Sequence, residues 1–399
     1  MRGSIAVVAV LAALQALLLT NNVTTALLGS LIGRELAPAP SLATAPLTAF
    51  VIGAATTTFP ISLIMKRMGR RFGFFVGAVA GLFGAALSAL ALVWESFALY
   101  LLGAACIGAF SAAGQYYRFA AAESVPENFR SQAISFVLVG GLVGAFVGPN
   151  AAIYARDLLP MSYLGSYYAL IGFCLLSMVV LAFARFPDPR THSTDFDTPA
   201  RPLAEIISQR RVIAAMLGAI VGYSVMNFLM TSTSLAMSLH DHTPEDATFV
   251  IEWHVVAMYA PSLVTGLLIK RFTVINVMTV GALLLIATVA AAVSGTSVMA
   301  FWSALFLVGL AWNFLYVGGT TLLTTAHRPS ERGKVQGLNE TLIFAGTGLS
   351  SLLSGALLHY SGWQTMVLVT LPLPLLALTV LFWARADSAA PELSAKAGT

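Results

Sequence analysis

The sequence predicts an all-α membrane protein with twelve transmembrane helices in two six-helix bundles and both termini in the cytoplasm. Three observations predict it. Hydrophobic residues make up 58% of the 399 and charged residues only 10%, against the roughly 25% charged residues of a soluble chain. That excludes a soluble cytosolic enzyme, a disordered chain and a collagen-like one. Apolar runs of the length that crosses a bilayer, about 20 residues, recur along the chain. Basic residues gather at every second junction between those runs.

The apolar runs lie near 4–32, 42–65, 72–94, 97–121, 131–154, 165–185, 211–239, 247–269, 274–294, 297–325, 335–358 and 363–384. The first follows Arg2, has no A-x-A-type cleavage site and stays apolar to Ile32, so it is expected to be a retained helix and not a signal peptide. Among the odd junctions only Arg34 and Arg156 are basic; the other 19 of the 21 Lys and Arg sit at the N-terminus, the even junctions and the C-terminal tail. The positive-inside rule then places both ends in the cytoplasm. One long polar stretch, 186–210, is rich in Pro, Asp, Thr and Arg and reads as a cytoplasmic linker between residues 1–185 and 211–399. Cys106 and Cys174 are too few for a disulfide framework and read as small apolar core residues.

The two halves resemble each other. Lys66-Arg67 ends the second run and Lys270-Arg271 the eighth. Pro126-Glu127-Asn128-Phe129-Arg130 follows the fourth run and Pro329-Ser330-Glu331-Arg332 the tenth. Two six-helix halves joined by a linker form a known transporter plan.

The loop after the second run reads Lys66-Arg67-Met68-Gly69-Arg70-Arg71. Arg67, Gly69, Arg70 and Arg71 resemble the D-R-x-G-R-R gating signature of the major facilitator superfamily, with Lys66 in place of the aspartate and Ser62 in place of an earlier glycine. The resemblance implies that superfamily's fold, but the missing acid removes the usual partner of the gating ion pair. The plainer reading is a basic loop that anchors to anionic lipid heads. In the fifth run, Gly144-x-x-x-Gly148-Pro149 partly resembles the superfamily's antiporter signature, but Ala152 and Ile153 stand where that signature continues with two glycines, and close helix packing is the favoured reading.

Charge inside a span is costly and marks candidate sites. Arg118, Glu123 and Glu340 lie near cytoplasmic helix ends and are candidates for coupling. No nucleophile–base set, glycine-rich phosphate loop or Walker lysine occurs, so an enzyme and an ATP-driven pump have no support. The seventh run holds Met226-x-x-x-Met230, with Met237 three turns on, and the eighth holds His254-x-x-x-Met258. Residues four apart share a helix face, and consecutive antiparallel helices bring two such pairs within reach of each other. Thioethers are soft neutral ligands that select Cu(I), and imidazole also suits copper. Met226, Met230, His254 and Met258 are therefore candidate metal ligands, with His240 and His242 of the following loop and Met237 as an entry path. Packing methionines, a titrating His254 and a solvated polar turn are the competing readings. Asn21, Asn22, Gln115, Tyr116 and Asn313 are further polar candidates within spans, read first as interhelical hydrogen-bonding groups.

At the two motifs the chain resembles the CcoA-like copper importers, a branch of the major facilitator superfamily. The resemblance implies a secondary transporter that carries copper across the bacterial inner membrane by alternating access, supplying it for assembly of a haem–copper cytochrome oxidase. Copper is then the substrate, the bilayer the surroundings, and copper chaperones or exporters the possible partners; no cofactor and no nucleic acid are implied. A proton-coupled exporter of small organic compounds and a non-transporting copper sensor are the alternatives.

Overall fold

A computed structural model describes residues 2–39, 42, 45–156, 158–184, 186 and 200–396. The helices are α1 (Arg2–Leu36), α2 (Ala45–Met68), α3 (Arg70–Val93), α4 (Phe97–Gly114), α5 (Tyr117–Glu123), α6 (Arg130–Arg156), α7 (Leu164–Phe183) and the short α8 (Leu203–Ile207). They continue with α9 (Arg210–Ser238), α10 (Pro244–Tyr259), α11 (Ser262–Phe272), α12 (Val274–Val293), α13 (Val298–Ala326), α14 (Arg332–Leu368) and α15 (Pro372–Lys396). Of the expected linker, 187–199 lies outside the described residues, and its end forms α8 and the start of α9.

Ten helices among the described residues are long and apolar enough to cross a membrane, and an eleventh counts if α10 and α11, bent by 41°, form one span. The difference from the twelve expected lies near the C-terminus. Residues 329–385 form one apolar helical stretch of 57 residues, more than twice the length that crosses a bilayer. Gly362 interrupts it with a φ of 73°. Large apolar side chains such as Phe83, Phe136, Phe183 and Leu352 face outward, as a lipid-embedded surface requires.

Two expected spans are broken. The fourth divides into α4 and α5 at Gln115 and Tyr116. The eighth divides into α10 and α11 beside Pro261, which has no N–H to continue the helix. Local caps set several starts: Ser96 accepts from Leu99 N and Ser297 from Ala300 N. Thr243 and Asp246 form a capping box ahead of α10, with Pro244 in the first turn.

The chain forms two compact units. Unit 1 comprises residues 1–127, 136–198 and 329–344; unit 2 comprises 128–135, 199–328 and 345–399. Each unit thus includes a short stretch from the other half of the sequence. In unit 1, Ser62 Oγ donates to Gly333 O at 2.5 Å, fastening 329–344 to α2. In unit 2, Ser131 Oγ donates to Gly266 O at 3.0 Å.

The repeat noted in the sequence is present in the backbone. Gly69, between α2 and α3, has φ 89°, and Thr273, between α11 and α12, has φ 71°. Short 3-10 turns at Glu127–Phe129 and Pro329–Glu331 precede α6 and α14. The Gly144 motif serves packing: a Cβ there would lie 2.4 Å from Ala16 O of α1, and Thr24 Oγ1 donates to Gly148 O at 2.9 Å.

Candidate functional site

Unit 1 collects the membrane charges. Arg70, buried at the start of α3, donates through Nη2 to Glu123 Oε1 at 2.6 Å and through Nε to Oε2 at 3.1 Å. The same guanidinium donates to Gln336 Oε1 at 2.5 Å. Arg332 Nη1 reaches Glu123 Oε2 at 3.4 Å, and Gln336 Nε2 reaches Oε1 at 3.2 Å. Arg70 of the loop is thus ion-paired with Glu123 from the end of α5, while position 66 carries Lys in place of an acid. Lys66 lies along Gly333, where a Cβ would come within 3.1 Å of it.

Arg71 donates to the carbonyls of Leu181 and Ala182 at the end of α7. Arg67 is exposed, and Gly69 occupies a backbone conformation that favours glycine.

Deeper in unit 1, Arg118 Nη2 donates to Glu340 Oε1 at 2.5 Å, with side chains 2% and 1% exposed. Arg118 Nη1 also donates to Gln115 O at 2.7 Å and to Gln115 Oε1 at 3.1 Å, using acceptors exposed by the α4–α5 break. Tyr116 donates to Thr58 O at 2.9 Å. Asn22 Nδ2 donates to Ser111 Oγ at 2.9 Å, and Cys174 Sγ lies 3.5 Å from Asn21 Oδ1.

Unit 2 is built from neutral groups. His254, fully buried on α10, has Nδ1 2.7 Å from Leu305 O of α13. A carbonyl only accepts, so Nδ1 carries the proton and Nε2 keeps its lone pair. That Nε2 is buried and has no hydrogen-bond partner. The ring lies against Gly309, where a Cβ would be 3.2 Å from Nδ1. Met226 and Met258 are buried, and Met230 is half-buried.

The α10 helix that carries His254 and Met258 contacts both α9, which carries Met226 and Met230, and α13. The α10 helix packs far more extensively on α13 than on α9. What joins all three is an aromatic cluster. Trp312 of α13 sits 5.4 Å from Tyr223 of α9, 5.6 Å from Tyr259 of α10 and 4.8 Å from Tyr316, ring centre to ring centre. Tyr223 is one turn before Met226, and Tyr259 follows Met258. The Trp312 indole N–H is buried without an acceptor. Asn313, next along α13, donates to Met258 O and Ser262 Oγ, both at 2.6 Å, and accepts from Thr265 Oγ1 at 2.7 Å. It thereby holds the α10–α11 break together.

The loop histidines are anchored to backbone. His240 Nδ1 lies 2.8 Å from Ala236 O, and His242 Nε2 lies 2.6 Å from Thr296 O. Both rings flank Phe301, and Met237 is buried beneath the loop. Among the described residues no group of three or more His, Cys, Asp or Glu is placed to hold a metal ion.

Sequence reading missed Gln336 and the aromatic cluster. A Trp and a Tyr four apart on one face of the tenth run were the available signal, together with a Tyr beside each methionine motif. Single aromatic residues in apolar runs carry no distinguishing pattern.

Residues 9–251 and 247–399 match the family described as the Major Facilitator Superfamily. The riboflavin transporter RfnT of Brucella anthropi is 37% identical over 355 residues, covering 89% of each chain. Among solved structures, a bacterial homologue of the iron transporter ferroportin in its outward-facing state superposes with a TM-score of 0.75 at 14% identity, covering 95% of this chain and 99% of that one. The transporter FucP in its outward conformation gives 0.74 at 16% identity, covering 96% and 99%. These two structural likenesses show the fold.

Proposed function

The chain belongs to the Major Facilitator Superfamily, and from that premise we propose that this multi-pass secondary transporter carries a small organic solute with a planar heterocycle, with riboflavin as the type. The observation that carries the reading is the 37% identity with the riboflavin transporter across nine-tenths of both chains. The Tyr223–Tyr259–Trp312–Tyr316 cluster supports it. Flat aromatic rings recognise a flat ring system by offset or edge contacts, and the uncapped Trp312 N–H suits a ring carbonyl.

Twelve spans, cytoplasmic termini and residence in the bacterial inner membrane belong to the same proposal. The break at Gly362 inside a 57-residue apolar stretch and the concentration of basic residues at even junctions support them.

Copper import is a second reading, favoured by one observation. His254 donates Nδ1–H to a backbone carbonyl and keeps Nε2 bare, the arrangement by which proteins orient a histidine ligand. Met258 follows one turn later. Met226, Met230, His254 and Met258 are the ligands of this reading, and delivery to a haem–copper oxidase would be its purpose.

Uptake of labelled riboflavin and of copper by cells expressing the chain separates the two. The first reading expects riboflavin uptake that falls in Trp312→Leu and persists in the Met226→Ala, His254→Ala and Met258→Ala variants. Copper accumulation without riboflavin uptake, lost in His254→Ala, overturns it in favour of the second.

A further inference from the structure

We propose that Glu340 is the proton-binding group of the transport cycle, and that Glu123, in the other charged cluster of unit 1, is a fixed anchor. This rests on secondary transport and is independent of which substrate is carried.

The two carboxylates are satisfied differently. Each Glu123 oxygen takes two donors: Oε1 from Arg70 and Gln336, Oε2 from Arg70 and Arg332. A proton arriving there must displace charge-assisted bonds. Glu340 directs both its donors, Arg118 Nη2 and Asn339 Nδ2, onto Oε1 at 2.5 and 2.6 Å. Its Oε2 is buried with no hydrogen-bond partner. A bare carboxylate oxygen out of water is costly, and a proton on Oε2 relieves that cost while leaving Oε1 to accept from Arg118 and Asn339 as a weaker, neutral partner.

The surroundings suit such a step. Arg118 faces Glu340 from the first turn of α5, and Tyr116 just before that helix lies within electrostatic reach of it. Arg70 of α3 lies beyond Tyr116, its guanidinium 5.6 Å from the ring centre. On α2, the neutral Thr58 accepts from Tyr116 through its carbonyl and the neutral Ser62 donates to Gly333 O, and on α14 the neutral Asn339 donates to Glu340 Oε1. Arg118 retains the two Gln115 acceptors and the Phe119 face, 4.6 Å from its guanidinium carbon, when Glu340 is neutral. A metal cation is disfavoured at Oε2 by the positive Arg118 on the other oxygen.

The consequence is mechanical. Residues 329–344 belong to unit 1, and withdrawing them with the pair intact would strand opposite charges in an apolar interior. Protonating Oε2 turns the ion pair into a neutral acid beside an arginine with its own acceptors. The stretch is then free to leave, so acid favours its release.

The test needs no substrate. Purified protein in lipid nanodiscs is titrated while infrared difference spectra report carboxylic-acid carbonyl bands and hydrogen exchange reports residues 329–344. A band appearing on acidification is expected in wild type and in Glu123→Gln, and is expected to be absent in Glu340→Gln. Exchange of 329–344, corrected for intrinsic pH dependence, should rise by up to about tenfold per pH unit, the slope for one proton, and should be flat in Glu340→Gln. A band that survives Glu340→Gln, a pH-independent wild type, or a response to sodium at constant pH overturns the proposal. Should Glu340→Gln not fold, Glu340→Asp must keep the band and move its midpoint; an unmoved midpoint likewise overturns it. Riboflavin or copper uptake bears only on the substrate, so failure there leaves this result separately readable.

Discussion

Unit 1 and unit 2 handle polarity in opposite ways. Unit 1 buries formal charge: Arg70, Glu123 and Arg332 in one cluster, Arg118 and Glu340 in another. Unit 2 buries neutral groups: His254 against a carbonyl, Asn313 across a broken helix, and three tyrosine rings around Trp312. Buried charge holds only while its partner stays, so it suits contacts that are made and released. Neutral hydrogen bonds and ring contacts persist regardless of protonation and suit a binding surface. On the proposed transport reading, the first region releases and the second recognises.

The sharpest way to break this contrast is at the deep ion pair. Glu340→Leu leaves Arg118 without its carboxylate and is expected to cost about 3–5 kcal/mol. Adding Arg118→Leu should recover most of that, as replacing a whole buried pair usually does. Thermal unfolding in detergent checks both, and equal losses in the single and double variants would count against a charge-based account. In unit 2 the counterpart is Asn313→Leu, which removes all three hydrogen bonds at the α10–α11 break. A cost of roughly 1–3 kcal/mol is expected, unchanged between pH 5.5 and 8, whereas unit 1 variants should vary with pH.

A finer comparison uses the two equivalent turns. Gly69→Ala forces a side chain into a positive-φ conformation and should cost about 1–2 kcal/mol. Thr273→Gly relieves the same strain and should gain up to about 1 kcal/mol; a loss at Thr273 would mean that its side chain matters more than its backbone. Smallest is Arg67→Ala, exposed on the loop, for which a stability change within about 0.5 kcal/mol is expected.

Much of the fold was legible in the sequence because membrane insertion acts on length and apolarity, which a one-dimensional reading captures. The positions of α3, α7, α9 and α12 follow directly from apolar runs. The breaks at Gln115–Tyr116 and Pro261 were not drawn from the apolar runs, which continue through both; a side chain satisfies a freed carbonyl at each, Arg118 from three residues on and Asn313 from another helix. The candidate residues were named in advance more fully than their partners were. Arg70 and Glu123 were both marked, yet their pairing requires the turn at Gly69 to bring α3 beside the end of α5. Met226 and Met258 were marked as ligands, and the aromatic rings beside them were not, because their grouping depends on three helices packing together. The copper importer resemblance rested on four residues; similarity along nearly the whole chain leads instead to a riboflavin transporter.

By itself the sequence determined that the chain lives in a membrane, that its halves repeat, and where its scarce charges lie, because those properties are carried by composition and local order. Only the tertiary structure decided which charges meet. Glu123 pairs with Arg70 and Arg332, Glu340 is left with one bare oxygen, and His254 turns its proton toward α13. Each outcome depends on a contact between residues far apart in the chain, and folding alone brings such groups within hydrogen-bonding distance.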